Sequence, residues 1–177
     1  MKNVALNFCL LLVTFCVPFF TSAQVKPAGK WIFRIGPSVS FATSAIANNE
    51  AGIGIIGGAE KNIYKNLSIG GETGFTYFIG DKSYNMNGKN KAYTIPLLAE
   101  MKIYFLSQLY ISPRVGALFF MLNDQSSSHV QLAYGLAGGF NVPEKSNRIN
   151  IQAGYTSFRH RDVQRGYASL VAAIIIY

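Results

Sequence analysis

From Tyr93 to Phe105 the chain reads Y-T-I-P-L-L-A-E-M-K-I-Y-F, and its odd positions, Tyr93, Ile95, Leu97, Ala99, Met101, Ile103 and Phe105, are all apolar. The even positions, Thr94, Pro96, Leu98, Glu100, Lys102 and Tyr104, mix polar, charged and bulky groups. A period of two marks a strand with two unlike faces. These 13 residues exceed the roughly five or six of an ordinary soluble strand and are enough to cross a bilayer at a tilt.

The same alternation recurs along the chain. It predicts strands over Lys30 to Ala42, Gly52 to Tyr64, Leu67 to Ile79, Tyr93 to Phe105, Leu109 to Met121, Val130 to Val142, Arg148 to Phe158 and Gly166 to Tyr177. Connections after the second, fourth and sixth are short, as at Lys65-Asn66. Those after the first, third, fifth and seventh are longer and more polar, the last expected to run from Arg159 to Arg165. Membrane β-barrels place short turns on the periplasmic side and long loops outside. Glycines give an independent test of phase. Gly36, Gly54, Gly58, Gly70, Gly74, Gly116, Gly135, Gly139 and Gly154 fall on the charged face, as expected for the crowded interior of a small barrel. Pro37, Pro96 and Pro113 fall inside strands, where local bulges are expected to absorb their missing N–H.

Upstream, Met1-Lys2-Asn3, an apolar run from Val4 to Phe20 and the small-residue exit Thr21-Ser22-Ala23 describe a signal peptide over residues 1–23, leaving a barrel domain over 24–177. Both cysteines, Cys9 and Cys16, lie in the leader, so the mature chain is expected to hold no disulfide and no thiolate metal site. Charged residues make up 14% of the chain and the mean hydropathy is positive, a greasy composition for an exported chain without a helix span. The formal net charge of +8 fits anionic lipid head groups better than nucleic acid, which an exported chain seldom meets.

On the inward face stand Arg34, Glu60, Glu72, Glu100, Lys102 and Arg114, three acids and three bases. Glu72, Glu100 and Arg114 lie at similar distances from their short turns, so they are expected to meet at one level, with Gln152 nearby. Charges held out of water persist when paired, so these six are read as an ion-pair network plugging the lumen. At the outer end, Lys82, Lys89, Lys91, Arg159, Arg161 and Arg165 are candidate contacts for lipopolysaccharide phosphates. No Gly-rich phosphate loop, metal-ligand cluster or nucleophile elbow appears, so no cofactor and no metal are expected.

With these features in place, the chain resembles the small OmpA/OmpX-like outer-membrane barrels of Gram-negative bacteria. The likeness is carried by A-Y-T-I-P-L-L-A-E-M-K-I-Y-F, L-Y-I-S-P-R-V-G-A and the closing A-S-L-V-A-A-I-I-I-Y. It implies an all-β fold, an eight-stranded antiparallel up-and-down transmembrane β-barrel, acting as a monomer in the outer membrane with a structural or surface-interaction role and at most a narrow ion path. The family's terminal residue, most often Phe, is recognised by the barrel-assembly machinery. Tyr177 departs from it but keeps the ring, with Val171, Ala173 and Ile175 expected to point outward. Some barrels of this architecture modify lipid A, but a deacylase-like His-x-Ser on His160 would need Ser where Asp162 stands, so the chain is not expected to be an enzyme. A soluble lipocalin-like barrel is the remaining alternative and would invert the faces.

Overall fold

The computed structural model describes residues 29–43, 49–80, 91–106, 108–122, 129–142, 148–160 and 163–176. It contains β1 (Trp31–Ala42), β2 (Asn49–Tyr64), β3 (Leu67–Gly80), β4 (Lys91–Tyr104), β5 (Leu109–Leu122), β6 (His129–Val142), β7 (Arg148–His160) and β8 (Val163–Ile176). Each strand pairs antiparallel with the next and β8 pairs with β1, so the sheet closes on itself. The expected signal peptide over residues 1–23 and most of the long connections, with Lys82, Lys89, Arg161 and Asp162, lie outside the described residues, as does Tyr177.

Register fixes the tilt. From Ile32 the ladder partners run Glu60, Gly70, Glu100, Arg114, Gly135, Thr156, Tyr167 and back to β1 at Ala42 rather than Ile32. This ten-residue offset between Ile32 and Ala42 tilts the strands roughly 40° from the barrel axis, given about 3.3 Å per residue and 4.8 Å between strands. A 14-residue strand such as β4 then rises roughly 35 Å, more than the apolar band of about 25 Å in such barrels.

The exterior is apolar. Leu97 is 60% exposed, whereas Glu100 and Lys102 on the same strand are 4% and 2% exposed. This overturns the lipocalin alternative, which needs the opposite assignment. Exposed rings gather near both rims: Trp31, Phe33, Tyr64 and Phe105 toward the short turns, and Phe41, Phe119, Tyr134 and Tyr155 toward the long loops. Aromatic girdles of this kind sit at the two membrane–water boundaries.

Three expectations are corrected. The last hairpin is longer than alternation alone gives: β7 continues to His160 and β8 begins at Val163, the two pairing directly, so Arg159 and Arg165 belong to strands. The phase of β8 is also reversed, with Val171 and Ala173 buried and Leu170, Ala172, Ile174 and Ile176 facing outward. Both parities of that strand are apolar, so only its neighbours decide; Val171 lies opposite the inward Gln152, and Ile174 opposite the outward Ile149.

The prolines, finally, are accommodated without bulges. The β1–β8 ladder skips Gly36 and Pro37 and resumes at Ser38↔Val171 in unchanged register; the β3–β4 ladder skips Pro96 and the β4–β5 ladder skips Pro113 in the same way. Each proline remains paired on its other side. Among the described residues, register shifts occur only between β2 and β3, at Asn49/Ala51 and Asn62/Tyr64.

Candidate functional site in the lumen

The strand pleat sends alternate side chains into the tube, and in the short-turn half those side chains are charged. Arg34 on β1 stands at the centre. Its guanidinium lies 3.4 Å from Glu60, 2.8 Å from Glu72 and 2.7 Å from Glu100. Lys102 pairs with Glu60 and lies 3.9 Å from Glu100, while Arg114 Nη1 meets Glu72 Oε1 at 2.5 Å. The structure therefore brings together all six of the lumen residues named from the sequence, with equal numbers of acids and bases.

Neutral groups take up the remaining carboxylate lone pairs. Gln152 Nε2 donates to Glu72 at 2.9 Å, Ser112 Oγ to Glu100 at 3.2 Å and the Tyr104 hydroxyl to Glu60 at 3.1 Å. Behind them the Tyr110 hydroxyl donates to Gln152 Oε1 at 2.9 Å and accepts from Asn150 Nδ2 at 3.0 Å, and the Lys102 ammonium sits 4.6 Å from the Tyr110 ring centre. Glu100 and Arg114 are direct ladder partners, yet Glu100 turns to Arg34 and Arg114 to Glu72. Nε and Nη2 of Arg114 are buried with no hydrogen-bond partner among the described residues.

Glycines make room for these side chains. A Cβ on Gly58 would lie 3.0 Å from Arg34 Nη2, one on Gly154 would overlap Arg114 Nη2, and one on Gly139 would overlap the Tyr110 ring. Gly58 and Gly139 are the ladder partners of Arg34 and Tyr110, and Gly154 lies two strands from Arg114, so each glycine seats a network side chain that leans over it from a nearby strand.

A second layer lies toward the long loops and was not anticipated from the sequence as a unit. Phe78, Ala92, Leu98, Leu118, Phe120, Ala133, Phe158 and Tyr167 form one buried apolar cluster. Phe78 and Tyr167 meet edge to face at 5.6 Å, and Phe120 and Phe158 pack tilted at 5.4 Å. Extending the inward parity of Glu72 and Thr76 to Phe78, and of Gln152 and Thr156 to Phe158, gives two of these positions directly.

The outer-end cations separate. Arg159 is exposed on the outer surface of β7, whereas Arg165 is half-buried with its guanidinium carbon 5.7 Å from the Phe120 ring, at the lumen mouth. Lys91 lies on β4 opposite Ile79, and Lys82, Lys89 and Arg161 lie outside the described residues.

No protein-family model and no curated protein matches the sequence. Solved structures do. The attachment invasion locus protein Ail of Yersinia pestis, crystallised with the heparin analogue sucrose octasulfate, is 18% identical with a TM-score of 0.61, over 85% of this chain and 100% of that one. This is an outer-membrane barrel fold. Neisserial surface protein A is 14% identical with a TM-score of 0.58, over 85% of this chain and 99% of that one. OprG from Pseudomonas aeruginosa is 8% identical with a TM-score of 0.52, over 87% and 99%. The likeness lies in the barrel, and at these identities it carries no site residue across.

Proposed function

We propose that the chain is a monomeric outer-membrane barrel with a sealed lumen, inserted by the barrel-assembly machinery, whose role is structural or at the cell surface rather than transport of large solutes. The carrying observation is the pair of stacked layers across the tube. Six buried charges are paired within one half, and a cluster of buried rings and aliphatic side chains fills the other. Water and ions passing this cross-section would have to break paired charges in a low-dielectric space. Planar-bilayer recording tests the reading: the intact chain gives at most brief, small openings, and a large steady conductance overturns it.

Arg159, exposed near the long-loop end of β7, supplies a cation suited to lipopolysaccharide phosphates, and the sequence expects Lys82, Lys89, Lys91 and Arg161 to add to it. The sulfated ligand of Ail is an anion of comparable kind. Binding of lipopolysaccharide to wild type and to Arg159→Gln, compared at low and high salt, tests this part. Lipid A recovered from cells with and without the intact gene is expected to be identical by mass, and a change in acylation would move the chain to the enzymes.

A further inference from the structure

An apolar groove of about 710 Å³ opens on the outside of the barrel, away from the lumen site. Trp31, Lys61, Ile69, Met101 and Pro113 lie along it, and its volume falls within the roughly 300–1,000 Å³ of small-molecule sites. The backbones of Gly70, Glu100 and Arg114 contribute to its floor, since the latter two send their side chains inward. Small outward residues keep the wall low: Ala59, Gly71 and Ala99 are consecutive ladder partners on β2, β3 and β4. A Cβ on Gly71 would meet only a carbonyl oxygen, at 3.5 Å.

The groove has direction. Trp31, Lys61, Ile69 and Met101 are ladder partners in turn, and Pro113 continues the line where the β4–β5 ladder skips a pair. The ten-residue offset that carries Ile32 round to Ala42 makes every such line climb from β1 toward the long-loop end. Four interstrand steps of about 4.8 Å at this tilt rise roughly 12 Å, or half the apolar band. The groove therefore starts at the short-turn rim and ends near the bilayer midplane.

Its two ends differ in chemistry. Lys61 is an exposed outward cation standing 5.9 Å from the centre of the Trp31 ring, with exposed Lys30 and Lys65 at the same rim. The other end is Met101, Pro113 and Val115. An anionic head at the rim and an acyl chain directed to the midplane fit this layout. We infer that the groove binds one anionic glycerophospholipid of the periplasmic leaflet, its phosphate on Lys61 and one chain over Ala99. The assignment rests on short turns facing the periplasm. A second copy of the chain fits less well, because a twofold contact on this face would bring two Lys61 cations together in an apolar interface.

The full barrel, reconstituted in nanodiscs of phosphatidylethanolamine and phosphatidylglycerol, is transferred to detergent, and retained lipid is counted by native mass spectrometry. Wild type keeps one phospholipid, with phosphatidylglycerol preferred. Lys61→Gln lowers that preference about fivefold, the worth of one interfacial cation. Ala99→Phe abolishes retention, whereas Ala153→Phe, an equal bulk on the exposed face of β7, leaves it intact. Folding of each variant is read from heat-modifiable gel migration. Equal retention by Ala99→Phe and wild type, an unchanged preference in Lys61→Gln, or recovery of a lipid-free dimer overturns the assignment. Conductance is silent on this groove, so failure here and failure of the sealed-lumen reading are separately visible.

Discussion

Gln152 Nε2 donates to Glu72 Oε2 at 2.9 Å, joining residues 80 positions apart that stand on opposite walls of the barrel, β7 and β3. Glu72 also accepts from Arg34 and Arg114, so one carboxylate ties β3 to three other strands, β1, β5 and β7. Removing it leaves the buried Arg114 guanidinium without its carboxylate, while Arg34 keeps Glu60 and Glu100. Glu72→Ala is expected to destabilise the barrel by about 3–5 kcal/mol, the range for breaking one side of a buried ion pair. Glu72→Gln costs less, because its amide oxygen still accepts from Arg114. Urea unfolding in lipid vesicles, followed by fluorescence of Trp31, the chain's one tryptophan, measures both.

Gly138 and Gly139 are neighbours in sequence with opposite outlooks. A Cβ on Gly139 would run into the Tyr110 ring, while one on Gly138 meets only a carbonyl oxygen at 3.7 Å. Gly139→Ala is therefore expected to cost about 1–3 kcal/mol by overpacking, and Gly138→Ala to stay within about 0.5 kcal/mol. The same unfolding assay separates them, and equal costs would mean that Tyr110 moves aside freely.

Much of this was legible because a barrel with lipid outside and polar groups inside imposes a strong period of two. Leu97 beside Glu100, and Ile69 beside Glu72, leave no doubt which face is which. Legibility failed where both faces are apolar. In β8 the parities Leu170-Ala172-Ile174 and Val171-Ala173-Ile175 are equally greasy, and only cross-strand partners such as Gln152 choose between them. The partner of each charge was also hidden, since adjacency in register puts Glu100 beside Arg114 while side-chain reach takes each elsewhere. The prolines misled toward bulges because a skipped pair on one side of a strand leaves no trace in the sequence.

The phase of β8 can be checked directly. Single cysteines at Leu170, Ala172 and Ile174, carrying a fluorophore, are expected to be quenched by nitroxide-labelled acyl chains, and cysteines at Val171 and Ala173 to escape quenching. Arginine at Leu170 should cost about 2–4 kcal/mol if it lies near the midplane. Quenching at Val171 instead would restore the opposite phase.

The two lumen layers differ in how they seal, and their removal should show it. Phe120 and Phe158 pack at 5.4 Å above the charges, and truncating both to alanine opens a vestibule on the long-loop side. Below it, Arg34 still bridges Glu60, Glu72 and Glu100, so the path stays closed. Arg34→Ala alone loosens the ionic layer but leaves the rings in place. Combined with the two phenylalanine truncations it exposes three carboxylates against Lys102 and Arg114, a lumen with an excess negative charge. The triple variant is expected to conduct and to prefer cations, whereas the ring variant and Arg34→Ala each stay silent in planar bilayers. Steady current through the ring variant alone would show that paired charges do not close the tube and that the aromatic layer is its one seal.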